Sequence, residues 1–256
     1  MIKNLLPSGI IKLSEYKRQF EALGLPGAYC LKALYRNALQ TTNIELFPRE
    51  ILGSMKTVID VGANLGDWST GIAMLTTAER IVAFEPVPEV YEALKKRSSI
   101  FPQIECINSA IGAYTGDITI NVEEKHQLSS VLKLTEESKS LFDLTKTSPK
   151  QVLSRITTLD NEFAGDDEIS LLKIDVQGYE PEVLSGGKET LQKTRVLLIE
   201  ITYETQYEGD QQFADYHDLI TKLSGMKLWG ISAPKCSQLG RPMWADAVYV
   251  QTDWIR

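Results

Sequence analysis

The chain reads as an α/β fold: a seven-stranded, mainly parallel sheet with helices on both faces and a closing antiparallel hairpin. Three observations predict it. Short β-branched apolar runs alternate with helical patterns from residue 57 onward, the arrangement that lays strands side by side under crossover helices. The first run, Thr57-Val58-Ile59-Asp60-Val61, passes straight into a loop bounded by Gly62 and Gly66 and then into a helix. The core runs also share an ending: Asp60, Glu85, Asn108, Asp175 and Glu200 each close an apolar stretch with a polar side chain. One such residue is explained as a turn or a cap. Several on one rim point to a ligand, because open parallel sheets bind beyond the carboxyl ends of their strands.

Residues 1–50 carry two short helical patterns, Ile10, Leu13, Tyr16 and Phe20, then Tyr29, Leu31, Leu34, Tyr35 and Leu39, separated by Gly24-Leu25-Pro26-Gly27. They form an N-terminal helical appendage that packs on the sheet or lids its open end. Residues 51–256 form the main domain. Strand Thr57–Val61 is followed by a helix over Asp67–Leu75, because Gly66 ends the turn and Trp68, Ile72 and Leu75 recur at helical spacing. Strand Arg80–Glu85 is stopped by Pro86 and Pro88, and the next helix runs through Val90, Leu94 and Lys96. A third strand covers Ile104–Asn108, and Gly116–Val122 alternates like an exposed antiparallel strand. Residues 123–151, polar and weakly periodic, read as a variable insertion facing substrate. Strand Ser170–Asp175 turns at Gly178 into a helix from Glu180 to Leu184. Strand Arg195–Ile201 leads to a helix through Phe213, Tyr216, Ile220 and Leu223. Strands near Lys227–Ile231 and Ala247–Gln251 close the sheet as a hairpin.

Composition narrows the partners. A net charge of −7 disfavours a nucleic-acid surface, which needs clustered cations, and directs attention to a small-molecule partner. Three widely spaced cysteines give neither a disulfide framework nor a zinc site, and no ligand cluster calls for a metal. No apolar run reaches membrane-spanning length, so the expected location is cytoplasmic. Oligomeric state is not readable.

The strand, glycine loop and helix N-terminus make a nucleotide-type site on a Rossmann-like sheet. Glu85 lies 19 positions after Gly66 (85 − 66), where a carboxylate accepts hydrogen bonds from two ribose hydroxyls. The glycine spacing is Gly62-x-x-x-Gly66 rather than the G-x-G-x-x-G of a dinucleotide site, and Asp60 would repel a pyrophosphate. An ammonium or sulfonium suits it better. An NAD-type oxidoreductase is the rival enzyme reading, disfavoured by the missing third glycine.

These residues also resemble a family. Asp60-Val61-Gly62-Ala63-Asn64-Leu65-Gly66, Ala83-Phe84-Glu85-Pro86, Lys173-Ile174-Asp175-Val176-Gln177-Gly178-Tyr179-Glu180 and Leu198-Ile199-Glu200 are similar to the successive motifs of the FkbM-like S-adenosylmethionine-dependent methyltransferases. The likeness runs from about Val58 to Val250, and the Lys-Ile-Asp-Val-x-Gly-x-Glu motif is its most specific part. It implies that Asp60, Gly62, Ala63 and Asn64 hold the methionine end of S-adenosylmethionine, Glu85 the ribose, and Ser109, Ala110 and Ile111 the adenine edge. Gly66, Asp67 and Ser69 at the helix start belong to the same implied pocket. The implied reaction is O-methylation of a hydroxyl on a sugar, glycan or secondary metabolite. One departure is Gln177, where the family commonly has Glu, and it is the only support for a cofactor-binding protein without catalysis.

Transfer of a methyl group to an alcohol is an in-line displacement that needs alignment and a base. Asp175 ranks first for the base, Glu200 second and His126, in the insertion beside Ser129 and Ser130, third. The alternatives are an N-cap for Asp175, a rim hydrogen bond for Glu200 and an exposed loop for His126.

Overall fold

The structure, a computed structural model, describes residues 38–237 and 239–254. Of the appendage expected over residues 1–50, residues 1–37, and with them nearly all of its two helical patterns, lie outside the described residues, and the described chain opens with helical residues 38–42. A 3-10 turn, Ile44–Leu46, and helix α1, Arg49–Leu52, then lead to the sheet.

The main sheet is built from β1 (Thr57–Val61), β2 (Arg80–Phe84), β3 (Ile104–Ile107), β7 (Ile169–Ile174), β8 (Thr194–Thr202), β9 (Lys227–Ile231), β10 (Lys235–Cys236) and β11 (Pro242–Val250). Its order is β10-β11-β8-β7-β1-β2-β3, with β9 also on β11. The neighbours from β8 to β3 pair in parallel, and β11 is antiparallel to β8, β9 and β10. The expected strands and closing hairpin are all present, with the short β10 as an addition. Chain order runs outward from β1 to β2 and β3 on one side, and β7 and β8 on the other. The switch point therefore lies between β1 and β7, where ligands bind in open α/β sheets.

The period of two along each strand divides the interior. Val58, Leu171, Leu198 and Val248 point to one face, where they meet Trp68 and Ile72 of α2 (Asp67–Leu75) and Phe47 and Ile51. Ile59, Leu172, Ile174, Leu197, Ile199 and Ala247 point to the other. There they meet α6 (Glu180–Ser185), α7 (Lys188–Lys193) and α8 (Phe213–Ser224), all introduced after β7. The helix α3 (Pro88–Ser98) buries Leu94 against Ala83 and Ala63.

A second sheet was only half visible in the sequence. The strand expected at Gly116–Val122 is β5, and it pairs antiparallel with β6 (Lys150–Thr157), itself beside β4 (Ala110–Ile111). In β6 only Ser154 and Ile156 are buried, so apolar alternation could not mark it. The polar stretch between β5 and β6 holds a 3-10 turn, His126–Leu128, and α4, Glu136–Leu141, capped by the Thr135 hydroxyl. It folds back on the strand ends through Asn121 N to Ser130 O (2.8 Å), Thr135 N to Gln206 O (3.0 Å) and a small core of Leu134, Leu144 and Tyr207. A short α5 (Leu159–Glu162) follows β6. Among the described residues no helix is long and apolar enough to cross a membrane.

The tightest point is the exit of β1. Gly62 has φ +80, and a Cβ there would lie 1.9 Å from the Asp175 carbonyl oxygen, so the ends of β1 and β7 approach only because that atom is missing. Gly62→Ala is expected to lower the unfolding free energy by at least about 2 kcal/mol in urea titration. Gly53→Ala, where nothing lies within 4 Å, serves as the control and should stay within about 0.5 kcal/mol.

Candidate active site

A cavity of about 450 Å³ opens over the carboxyl ends of β1, β2, β7 and β8 and the amino-terminal half of the antiparallel β11. Strand register explains its chemistry. Asp60 is the direct neighbour of Lys173 across β1 and β7, and Glu200 is the direct neighbour of Asp246 across β8 and β11. With Asp175 two residues beyond Lys173, the period of two puts all five charges on one face.

One end is polar main chain. Gly62 N and Ala63 N both donate to Phe84 O, Asn64 sits at φ +50, and its N–H donates to Glu85 Oε2 at 2.9 Å. Val87 N donates to Glu85 Oε1, also at 2.9 Å. Burial pushes the Glu85 carboxyl up to about 7, against the lowering effect of those two N–H groups. Each Glu85 oxygen thus holds one backbone donor and keeps a second lone pair. Ser109, Ala110 and Ile111 line the cavity beside it, with Ser109 Oγ held by Ala110 O and Arg155 O.

The residues expected at this end divide. Gly62, Ala63, Asn64, Asp67, Glu85, Ser109, Ala110 and Ile111 line the cavity. Asp60, Gly66 and Ser69 are not among its lining residues, and Asp60 and Ser69 are bonded to groups inside the protein. Both are fully buried: Ser69 Oγ donates to Asp60 Oδ2 at 2.5 Å, and Lys173 Nζ bonds Asp60 Oδ1 at 3.0 Å. The charge on Asp60 is thereby matched inside the protein. Gly66 is the left-handed N-cap of α2, and Asp67 is paired with Arg97. Asn108, read as a rim residue, uses its amide to hold Glu85 O and Pro86 O.

The other end is acidic. Lys173 Nζ also reaches Gly62 O at 3.2 Å and Asp175 Oδ2 at 3.4 Å. Burial by itself lowers the Lys173 pKa, but Asp60 and Asp175 outweigh it and raise the pKa, so the ammonium persists. Burial raises the Glu200 carboxyl well above its ordinary value, reinforced by the negative charges of Asp175, Glu180 and Asp246. Asp246 is raised to about 6 by burial and Asp175, although Asn43 donates to its Oδ2 at 2.6 Å. Beneath the rim, Glu180 is buried and raised to about 7, bonded to Val176 N (2.8 Å) and the Tyr216 hydroxyl (3.2 Å).

All three residues singled out for proton transfer, Asp175, Glu200 and His126, line the cavity. Gln177 lies between the first two, and its amide nitrogen is 2.8 Å from Asp175 Oδ1 and 3.3 Å from Glu200 Oε1. Reasoning on strand endings missed Lys173, Asp246 and the aromatic pair Phe142 and Trp244, whose rings lie 6.2 Å apart at the cavity wall. Lys173 carried a signal, being a lysine inside an apolar strand. Trp68 lines the cavity, whereas Trp229 is half exposed elsewhere and His217 on α8 bonds the Tyr249 hydroxyl of β11. Among the described residues no group of three His, Cys, Asp or Glu side chains is placed to hold a metal ion.

Residues 60–226 match the family model of the methyltransferase FkbM domain. The chain belongs to the FkbM methyltransferase family. Among curated relatives, the 2-O-methyltransferase NoeI of Sinorhizobium fredii is 27% identical over 172 residues, 64% of this chain and 70% of NoeI. The hexuronic acid methyltransferase AglP of Haloferax volcanii is 26% identical over 150 residues, 56% of this chain and 54% of AglP. The fold matches the solved structure of methyltransferase FkbM from Methylobacillus flagellatus, with TM-score 0.52 and 16% identity, over 95% of this chain and 58% of that one. The match thus spans little more than half of AglP and of the solved chain.

In this FkbM methyltransferase, Glu85, Glu180 and Asp246 all bind protons more tightly folded than unfolded. Folding then takes up protons between the unfolded carboxylate range and about pH 7, and the stability present below that window is lost as pH rises through it. The ligand-free protein should melt at a higher temperature at about pH 5 than at about pH 8 by calorimetry. A Tm that rises across this interval would contradict the carboxylate environments described.

Proposed function

We propose that this protein is an S-adenosylmethionine-dependent O-methyltransferase acting on a hydroxyl of a sugar, glycan or secondary-metabolite acceptor. The observation that carries the reading is the division of one cavity into a nucleoside-fitted end at Glu85 and an acidic, proton-accepting end at Asp175 and Glu200. Support for the acceptor class comes from NoeI and AglP, whose names denote a 2-O-methyltransferase and a hexuronic acid methyltransferase.

The residues present fit the cofactor. Glu85 is desolvated and each of its oxygens has room for one more donor, which suits two ribose hydroxyls. The main chain of Gly62 to Asn64 suits the methionine end, with no Cβ at Gly62. Ser109 to Ile111 supply the adenine wall. Among the described residues that line the cavity, carboxylates outnumber the already matched Lys173, which suits a positively charged ligand. When bound, S-adenosylmethionine supplies a methyl carbon carried on a sulfonium.

Glu200 is the base in this reading. Its raised pKa brings it nearer to working pH, and among the described residues its Oε2 accepts no hydrogen bond. Oε2 would accept the acceptor hydroxyl proton, and that oxygen would take the methyl group from the cofactor held by Glu85 and the Gly62–Asn64 main chain, as the methyl–sulfur bond breaks and S-adenosylhomocysteine leaves. Asp175 keeps the neighbouring field negative, which also favours a cationic donor group. Phe142 and Trp244, on the cavity wall, offer flat faces to an acceptor ring.

Calorimetric titration with S-adenosylmethionine and S-adenosylhomocysteine should show saturable binding, and Glu85→Ala should weaken it by about 1.5–3 kcal/mol. Unchanged affinity in that variant, or binding of NAD alone, would remove the cofactor reading. With an acceptor found by screening hydroxylated sugars for S-adenosylhomocysteine release, Glu200→Gln should lower kcat by about 100-fold or more. The wild-type rate should rise with pH through an inflection well above 4.5, the ordinary carboxylate value. A pH-independent rate with full activity in Glu200→Gln would assign the proton elsewhere.

A further inference from the structure

Gln177 occupies an unusual position. Its φ of +59 falls in the left-handed region that few residues other than glycine enter, and four contacts hold it there. The amide nitrogen donates to Asp175 Oδ1 at 2.8 Å and Glu200 Oε1 at 3.3 Å. The amide oxygen accepts from the Tyr207 hydroxyl at 2.8 Å, and the backbone carbonyl accepts from Ser130 Oγ at 2.6 Å. The network fixes which way the amide points, because turning it over would set its oxygen against two carboxylates. One nitrogen with two hydrogens serves one acid each. A carboxylate in its place would bring a third acceptor, and an apolar side chain would leave the two acids facing each other bare.

We propose that Gln177 is a positioning residue for methyl transfer: its carboxamide clamps Asp175 and Glu200 side by side and leaves Glu200 Oε2 as the open proton acceptor. The inference rests on the reading of Glu200 as the base. The asymmetry is geometric. Asp175 has one oxygen on Gln177 and the other 3.4 Å from Lys173 Nζ, whereas Glu200 is tied by a single oxygen. The clamp also reaches the acceptor side. Ser130 belongs to the segment between β5 and β6, and the Tyr207 hydroxyl lies 3.3 Å from Leu128 O of the same segment. Gln177 is therefore shared between the acid pair and the segment that walls the acceptor end. On this account a glutamine at this position serves catalysis rather than marking its loss.

The groups whose charges act on Glu200 are Lys173 on β7, Asp175 just beyond it, Glu180 on α6 and Asp246 on β11, with Tyr207 after β8 close to the same network. The test is a carbon-13 carboxyl NMR titration of the full chain, with side-chain carboxyls assigned by substitution. In Gln177→Met, loss of the donated hydrogen bond should move the Glu200 midpoint up by about one pH unit. Tyr207→Phe, which removes the hydrogen bond that holds the carboxamide oxygen, should move the Glu200 midpoint the same way by less, and it keeps the test open if Gln177→Met does not fold. Glu200 midpoints within about 0.3 unit of wild type in the folded variants would overturn the clamp. Calorimetry of the wild-type protein with S-adenosylhomocysteine, run alongside, judges the cofactor reading separately. Absent binding defeats that reading, while the midpoints alone decide the role of Gln177.

Discussion

The Lys173 ammonium is the interaction on which the rest of the site depends. Parallel register sets it opposite Asp60, and its Nζ joins that carboxylate, the carbonyl of Gly62 and the edge of Asp175. It also lies 5.8 Å from the centre of the Trp68 ring, so α2 is tied to the same point. Removing one partner of such a buried pair typically costs about 3–5 kcal/mol, because the other charge is left unmatched. The pair is therefore better seen as a fixed joint than as a source of net stability. It brings the glycine turn after β1 and the Gln177 loop after β7 to within contact of each other.

Around that joint the protein holds more acid than folding alone would favour. Glu200 faces Asp246 directly across antiparallel strands, a like-charge pair that ordinarily destabilises a sheet. Glu85 and Glu180 are buried nearby with raised proton affinities. Neutral donors offset part of the cost: Asn43 on Asp246, Gln177 between Asp175 and Glu200, Tyr216 on Glu180, backbone N–H groups on Glu85. Strain of this kind collects where charge is about to move, since a carboxylate that is fully satisfied is a poor base.

Much of the fold was legible because its signals are local. The runs at Thr57–Val61, Ser170–Ile174 and Arg195–Ile201 are apolar on both faces, as strands at the centre of a parallel sheet must be, and each is a strand in the structure. The glycine loop and the cavity-lining position of Glu85 follow from the same local grammar. The edges were less legible. In β6 only two side chains are buried, and β10 is two residues long, so neither has enough apolar periodicity to stand out. Phe142 and Trp244 come together from segments about one hundred positions apart, a distance no short-range pattern reports.

Taken alone, the amino-acid order determined the alternation of strands and helices, the turn after β1 and the set of polar residues closing the strands, because each depends on neighbours a few positions away. Only the tertiary structure decided how those polar residues divide. Register turned Asp60 inward to Lys173 and Ser69, set Glu200 against Asp246, and brought the segment before β6 over Gln177. The physical reason is that the charge state and exposure of a carboxylate are set by whatever lies within a few ångströms of it. In this sheet those neighbours come from strands far apart in the chain.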